Sequence, residues 1–280
     1  MRKSFLMIIA LGAFLSLSQA LAAEESHFLL LDRKCEMHGF EGPESTPQSP
    51  PLDVDDPETP GCNKWEINFV VDGDFSKDQK TLELPLLDIN YGIGDNLQLK
   101  YEVPSVTEKT EETTKTAIGE TRVGLKYLFY ENEDDHLSFS IYPQVKVVHN
   151  DEESGTITTL PLLMAVKIGE NSHGKVTLTT NLGYNVSHNI AEQDFVSISA
   201  GVGSPISKST SIMGELSTIQ GLKATTEDPR EQFVKANLGL VTLVNKSVLL
   251  FGSLGTSLVS TDDRQHLFAL GGLRWVTGGI

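Results

Sequence analysis

The chain has 280 residues and a formal net charge of −16, with 38 Asp and Glu against 22 Lys and Arg. That acidity excludes a nucleic-acid binder, which needs a basic face to displace counterions. A charged content of 21% and a mean hydropathy of −0.14 exclude a helical membrane protein.

In chain order, Arg2 and Lys3 form a positive n-region, Leu6 to Leu17 an apolar stretch, and Ala20-Leu21-Ala22 an A-x-A cleavage site. This is the plan of a secretion signal, residues 1–22. The mature chain is expected to start at Ala23, with a net charge of about −18 once Arg2 and Lys3 have left. Ser16, Ser18 and Gln19 interrupt the apolar stretch, which falls short of the roughly 20 apolar residues of a spanning helix. No cysteine directly follows the cleavage site, which argues against a lipoprotein anchor, and no later segment approaches a spanning helix. Any membrane residence must therefore come from a β-barrel, whose strands satisfy each other's backbone groups.

Residues 23–62 form an N-terminal arm on the periplasmic side. Cys35 and Cys62 are the two cysteines, and in an oxidising compartment such a pair predicts a disulfide. It would restrain the unfolded segment by roughly 3 to 4 kcal/mol on the chain-entropy account. A metal site from Cys35, His38 and Cys62 is the sharper alternative, but it lacks a fourth ligand. Between the cysteines the chain is dense in Pro and acidic residues, so it cannot bury a core of its own. It is expected to be a solvated arm or a short plug entering the barrel mouth. Asp53, Asp55, Asp56 and Glu58 invite a calcium reading, but the EF-hand spacing and its glycine are missing.

From residue 63 to residue 280 the pattern has period two. Leu97, Leu99, Tyr101 and Val103 share one face, with Gln98, Lys100 and Glu102 on the other. Val123, Leu125, Tyr127 and Phe129 oppose Arg122, Gly124 and Lys126 in the same way. Leu137, Phe139, Ile141, Val145 and Val147 oppose Ser138, Ser140, Tyr142, Gln144 and Lys146, and Val176, Leu178, Leu182 and Tyr184 oppose Thr177, Thr179, Asn181 and Asn185. Alternation alone also fits a soluble sandwich, so the connections decide. G-I-G-D-N, E-N-E-D-D, G-E-N-S-H-G, S-P-I-S-K-S-T and N-K-S follow every second strand as compact turns, while longer polar stretches such as V-T-E-K-T-E-E-T-T-K-T follow the others. Short turns on one side and longer loops on the other define an all-β, transmembrane antiparallel up-and-down barrel of about twelve strands. Its polar face supplies the lumen candidates Asp88, Asn90, Lys100, Glu102, Arg122, Lys126, Tyr142, Lys146 and Lys167. These groups either set the field of an open lumen or pair across neighbouring strands and close it. If Lys100 faces the lumen, Lys100→Glu should leave folding nearly intact, because water or neighbouring polar groups can still solvate the new charge, and in a conducting barrel it should shift ion preference toward cations.

P-L-D-V-D-D-P-E-T-P-G-C-N-K-W-E-I-N-F, L-E-L-P-L-L-D-I-N-Y-G-I-G-D-N-L-Q-L-K-Y-E-V-P, G-E-T-R-V-G-L-K-Y and L-S-F-S-I-Y-P-Q resemble the outer-membrane proteins of the MetA-pathway of phenol degradation family. The resemblance runs from about Pro51 to Gln144. It implies a barrel that admits small hydrophobic or aromatic compounds. The chain departs from many outer-membrane barrels at its end, W-V-T-G-G-I, where an aromatic residue is usual.

No G-x-S-x-G elbow, H-E-x-x-H helix or P-loop occurs. Ser187, His188 and Asp194 form the one compact Ser/His/Asp group, but adjacent residues of a strand point to opposite faces. The sequence thus predicts a non-enzyme without cofactor or resident metal: an outer-membrane channel or transporter for a small-molecule solute. A surface-binding or structural barrel with a closed lumen is the first alternative, a periplasmic soluble β-protein the second. The expected partners are outer-membrane lipid, lipopolysaccharide bridged by divalent ions to the acidic loops, and the barrel-assembly machinery.

Overall fold

The computed structural model describes residues 53–132, 136–149, 154–190, 194–222, 232–262 and 264–278. The secretion signal, Cys35 and His38 lie outside them. Fourteen strands follow one another: β1 (Lys64–Phe75), β2 (Gln79–Gly94), β3 (Leu97–Thr110), β4 (Thr114–Ile118), β5 (Thr121–Asn132), β6 (Leu137–Ile141), β7 (Gln144–His149), β8 (Ser154–Asn171), β9 (Gly174–His188), β10 (Phe195–Pro205), β11 (Thr210–Gly221), β12 (Gln232–Asn245), β13 (Val248–Ser260) and β14 (Leu267–Gly278). Neighbours pair antiparallel, and β1 pairs with β14 from Lys64↔Gly278 to Phe75↔Leu267, which closes the sheet. Closure pairs the edges of β1 and β14, while β4 pairs on one side only, with β3.

The fourteen strands make twelve staves, because two staves are broken. The outer end of β3 pairs with β4 and its inner half with β5, across a gap at Gly119-Glu120. β8 pairs with β7 and then with β6, across a gap at Tyr142-Pro143. Pro143 has no N–H to give to a ladder, and its carbonyl instead accepts from Leu125 N–H at 3.0 Å. A bulge between Glu83 and Leu86 similarly accommodates Pro85.

One connection differs from expectation. The stretch V-T-E-K-T-E-E-T-T-K-T is not a long irregular loop but a β-hairpin, in which the end of β3 pairs with β4 around Glu111–Thr113. Thr107 and Thr116 join hydroxyls across it at 2.9 Å, and every residue of β4 is exposed. Threonine is β-branched and favours extended backbone. With water on both faces, however, the segment carries no apolar alternation to announce it.

The barrel is apolar outside, and its interior combines polar and charged side chains with two apolar clusters, Val70, Val241, Leu249 and Phe251 in one and Val148, Ile157 and Phe195 in the other. Leu99, Leu125, Val145, Leu182 and Tyr184 lie on the outer surface, and Leu254 is 70% exposed there. Asn68, Gln98, Lys100, Lys126, Asn185 and Glu215 are buried inside. At the short-turn end, Trp65 packs on Tyr91 with ring centroids 4.4 Å apart, and Trp275 is exposed on neighbouring β14.

Candidate functional site: the lumen and its strap

A continuous polar belt crosses one wall of the lumen. Arg274 reaches Glu66 at 3.3 Å and donates to Asn68 at 3.0 Å, and Asn68 donates to Asp88 at 3.0 Å. Lys100 then bridges Asp88 at 3.5 Å and Glu102 at 2.9 Å, and Arg122 meets Glu102 at 3.4 Å. Asn90 donates to Asp88 at 3.2 Å. Five consecutive staves, β14, β1, β2, β3 and β5, are therefore joined through ion pairs and the amide of Asn68. Paired and hydrogen-bonded in this way, ions can be held away from bulk water.

The other predicted residues are spread along the barrel. Lys146 pairs with Glu120 at 2.6 Å beside the break in the fourth stave. Tyr142 is fully buried, with the Lys126 ammonium 5.0 Å from its ring centroid. Lys167 is apart from the rest: it sits near the β8–β9 turn and pairs with Glu170 of its own strand at 2.7 Å. Ser187 and Asp194 meet through the Ser187 main-chain N–H at 3.1 Å, not through the hydroxyl. That contact ties the end of β9 to the residue that precedes β10.

Side chains of β5, β6, β9 and β11 grip the chain that precedes β1. Residues 53–60 run inside the barrel as an extended strap. Glu215 accepts the N–H groups of Asp53 and Val54, each at 3.1 Å. Asn181 accepts from Asp55 N–H at 2.8 Å and donates to its carbonyl at 2.7 Å. Lys126 donates to the carbonyls of Asp56 at 2.7 Å and Glu58 at 3.0 Å, and Ser140 donates to that of Pro57. Buried backbone groups must find partners, and here wall side chains supply them. Val54 is 1% exposed and Pro57 is also buried.

At its root the strap turns sharply into β1. Gly61 has φ +81° and Asn63 φ +55°, the left-handed region that these two residue types tolerate best. Asn63 N–H donates to Gly92 carbonyl at 2.9 Å, and a side chain at Gly92 would collide with the Gly61 carbonyl. Cys62, in the same turn, is disulfide-bonded. A cavity of about 670 Å³ remains beside the strap, lined by both walls, among them Asp72, Glu83, Arg122, Phe233 and Lys235.

At the outer rim His266 joins the loop after β13 to β1. Its imidazole contacts Asp74 at 2.8 Å and Asp262 at 3.1 Å. Partial burial lowers the His266 pKa, but the hydrogen bonds and charges of Asp74 and Asp262 outweigh it, and the net direction is up. Asp262 is held down to about 2, first by a hydrogen bond from Ser260 and then by Arg264 N–H and His266.

The sequence reading did not single out Glu215, Lys235, Asn237, Arg274 or Glu66. Glu215 had one visible signal: a carboxylate on the inward phase of the strand T-S-I-M-G-E-L-S. Its partners are strap backbone more than 160 residues away, and no local pattern reports them.

A closed, twelve-stave antiparallel barrel with an apolar exterior and a strapped lumen is the architecture of this chain. No family model matches the chain, and no curated protein does. Among solved structures it is similar to the COG4313 outer membrane channel from Pseudomonas putida F1, with 11% identity, TM-score 0.63, and coverage of 81% of this chain and 100% of that one. It is also similar to the NanC porin, with 8% identity, TM-score 0.53, and coverage of 75% and 98%. At these identities the likeness is one of fold.

Proposed function

We propose that the protein is an outer-membrane channel for small solutes, hydrophobic or aromatic compounds among them, and that the strap sets how far its lumen is open. The observation that carries this reading is the apolar exterior bounded by aromatic residues. Trp65 and Phe75, both on the outer surface of β1, are ten positions apart. Ten positions span roughly 33 Å of strand, or about 25 Å along the axis of a barrel tilted near 40°, the height of an outer-membrane apolar band. The channels among similar folds agree with this reading, as does the resemblance to the MetA-pathway of phenol degradation family. It takes residues 1–22 as a cleaved signal, residues 23–62 as a periplasmic arm whose last part enters the lumen, and lipopolysaccharide and the barrel-assembly machinery as partners in the membrane. Catalysis has no part in it.

The strap itself favours a second reading, a barrel closed at rest that serves at its surface. Liposome swelling separates the two. Protein reconstituted into liposomes should admit small neutral sugars or phenol faster than protein-free liposomes do. Recovery of the protein in the soluble periplasmic fraction, without heat-modifiable gel mobility, would overturn both.

A further inference from the structure

The outermost described residue of the strap, Asp53, is held by its carboxylate as a ligand would be. Lys235 Nζ contacts both oxygens, at 3.2 and 3.1 Å, Asn237 Nδ2 donates at 3.0 Å, and Ser217 Oγ donates at 3.1 Å. The receptor belongs to the wall: Ser217 and Lys235 are register partners on β11 and β12, and Asn237 is the next inward position of β12. All three groups donate, one of them is charged, and the Lys235 side chain is 16% exposed against 35% for Asp53. Charge-assisted donors converging in this way select a carboxylate.

Aromatic surface adjoins the same lysine. Lys235 Nζ lies 4.2 Å from the Phe268 ring centroid. Phe233 meets Phe268 edge-on at 5.9 Å, and His266 stacks parallel to it at 6.0 Å. Phe233, Lys235, Ser217 and Asp53 all line the 670 Å³ cavity. Asp72 and Glu83 line it as well, so a second negative charge on a ligand would meet repulsion.

We propose that Ser217, Lys235 and Asn237 form a binding site for the carboxylate of a small aromatic monoacid whose ring lies against Phe233 and Phe268, and that Asp53 occupies this site as an internal competitor. The inference rests on the channel reading, because a solute must reach the lumen to use the site. A solute acid then displaces Asp53 from the strap's outer end, while Glu215 and Asn181 still hold the strap below.

Benzoate is the probe, titrated by isothermal calorimetry into the full-length protein in detergent. Competition by Asp53 reduces apparent affinity by the fraction of time the site is free, so Asp53→Ala should bind benzoate ~10-fold more tightly than the unaltered protein. Adding Lys235→Met, or Ser217→Ala together with Asn237→Leu, should abolish the gain. Benzyl alcohol, which keeps the ring, and acetate, which keeps the carboxylate, should each bind more weakly than benzoate. Unchanged benzoate affinity in Asp53→Ala, or equal affinity for benzyl alcohol, overturns the site. Bilayer conductance of the same samples keeps the two readings apart. Benzoate binding that follows these variants in a non-conducting protein leaves the site and removes the channel, whereas conductance with no variant-dependent benzoate binding does the reverse.

Discussion

Asn181 closes both main-chain hydrogen bonds of Asp55, accepting its N–H at 2.8 Å and donating to its carbonyl at 2.7 Å. A side-chain amide thus does for the strap what a neighbouring strand does within a sheet. Each such bond contributes about 0.5 to 1.5 kcal/mol net, so Asn181→Leu should loosen the strap by about 1 to 3 kcal/mol without disturbing the ladder of β9. A cysteine at Val54, which is shielded in the folded protein, reports the change: its alkylation should be slow alone and several-fold faster with Asn181→Leu. Equal rates would show that Asn181 does not hold the strap.

The two faces of β3 are both intolerant of a charge change, for different reasons. Leu99 is on the outer surface, and Leu99→Arg at the depth of lipid costs about 2 to 4 kcal/mol. Lys100 is 8% exposed and sits between Asp88 and Glu102, so Lys100→Glu would place a third carboxylate against two others. Removing one partner of a buried pair costs about 3 to 5 kcal/mol. The tolerance of Lys100→Glu expected from alternation alone therefore gives way to loss of folding, while Lys100→Met should be milder because it adds no like charge. Urea midpoints of the refolded barrels, read by heat-modifiable mobility, check the order, and normal folding of Lys100→Glu would contradict the belt.

The inward and outward faces were legible in the sequence because each stave reports its own phase locally. Lys100, Glu102 and Asp88 all fall on the belt for that reason. Lys167 did not join it, because the alternation of β8 continues to the short-turn rim, where Glu170 is its neighbour. The break at Tyr142-Pro143 keeps the inward phase on either side, while at Gly119-Glu120 the pairing with β3 shifts by one residue; counting recovers twelve staves and misses both interruptions. The grip of Glu215 and Asn181 on the strap was not legible at all: it joins side chains to backbone across more than 120 residues, and backbone carries no sequence signature.

The rim clasp at His266 should depend on pH. Its folded pKa is raised above the ordinary 6.5 by Asp74 and Asp262, against the lowering effect of burial. A raised folded pKa means that the clasp contributes fully below the unfolded value and is lost as pH rises through the folded one. Asp262, held at about 2, stays charged throughout, with Arg264 as the nearby fixed cation. Hydrogen-exchange protection of residues 264–266, corrected for intrinsic rates, should fall as pH rises above neutrality, and Asp74→Asn should move that fall to lower pH. Protection that increases over the same range would contradict the assignment.

In the function proposed above, residues 53–60 throttle a channel. Single-channel recording in planar bilayers is the test, comparing the unaltered chain with a variant carrying both Asn181→Ala and Glu215→Ala, which removes the four hydrogen bonds to the backbone of residues 53–55 and leaves every wall strand in place. We expect small or infrequent openings for the unaltered chain and a larger, longer-lived conductance for the variant, at equal amounts of folded protein. Identical conductance in the two would contradict the strap's role, and silence in both would contradict the channel.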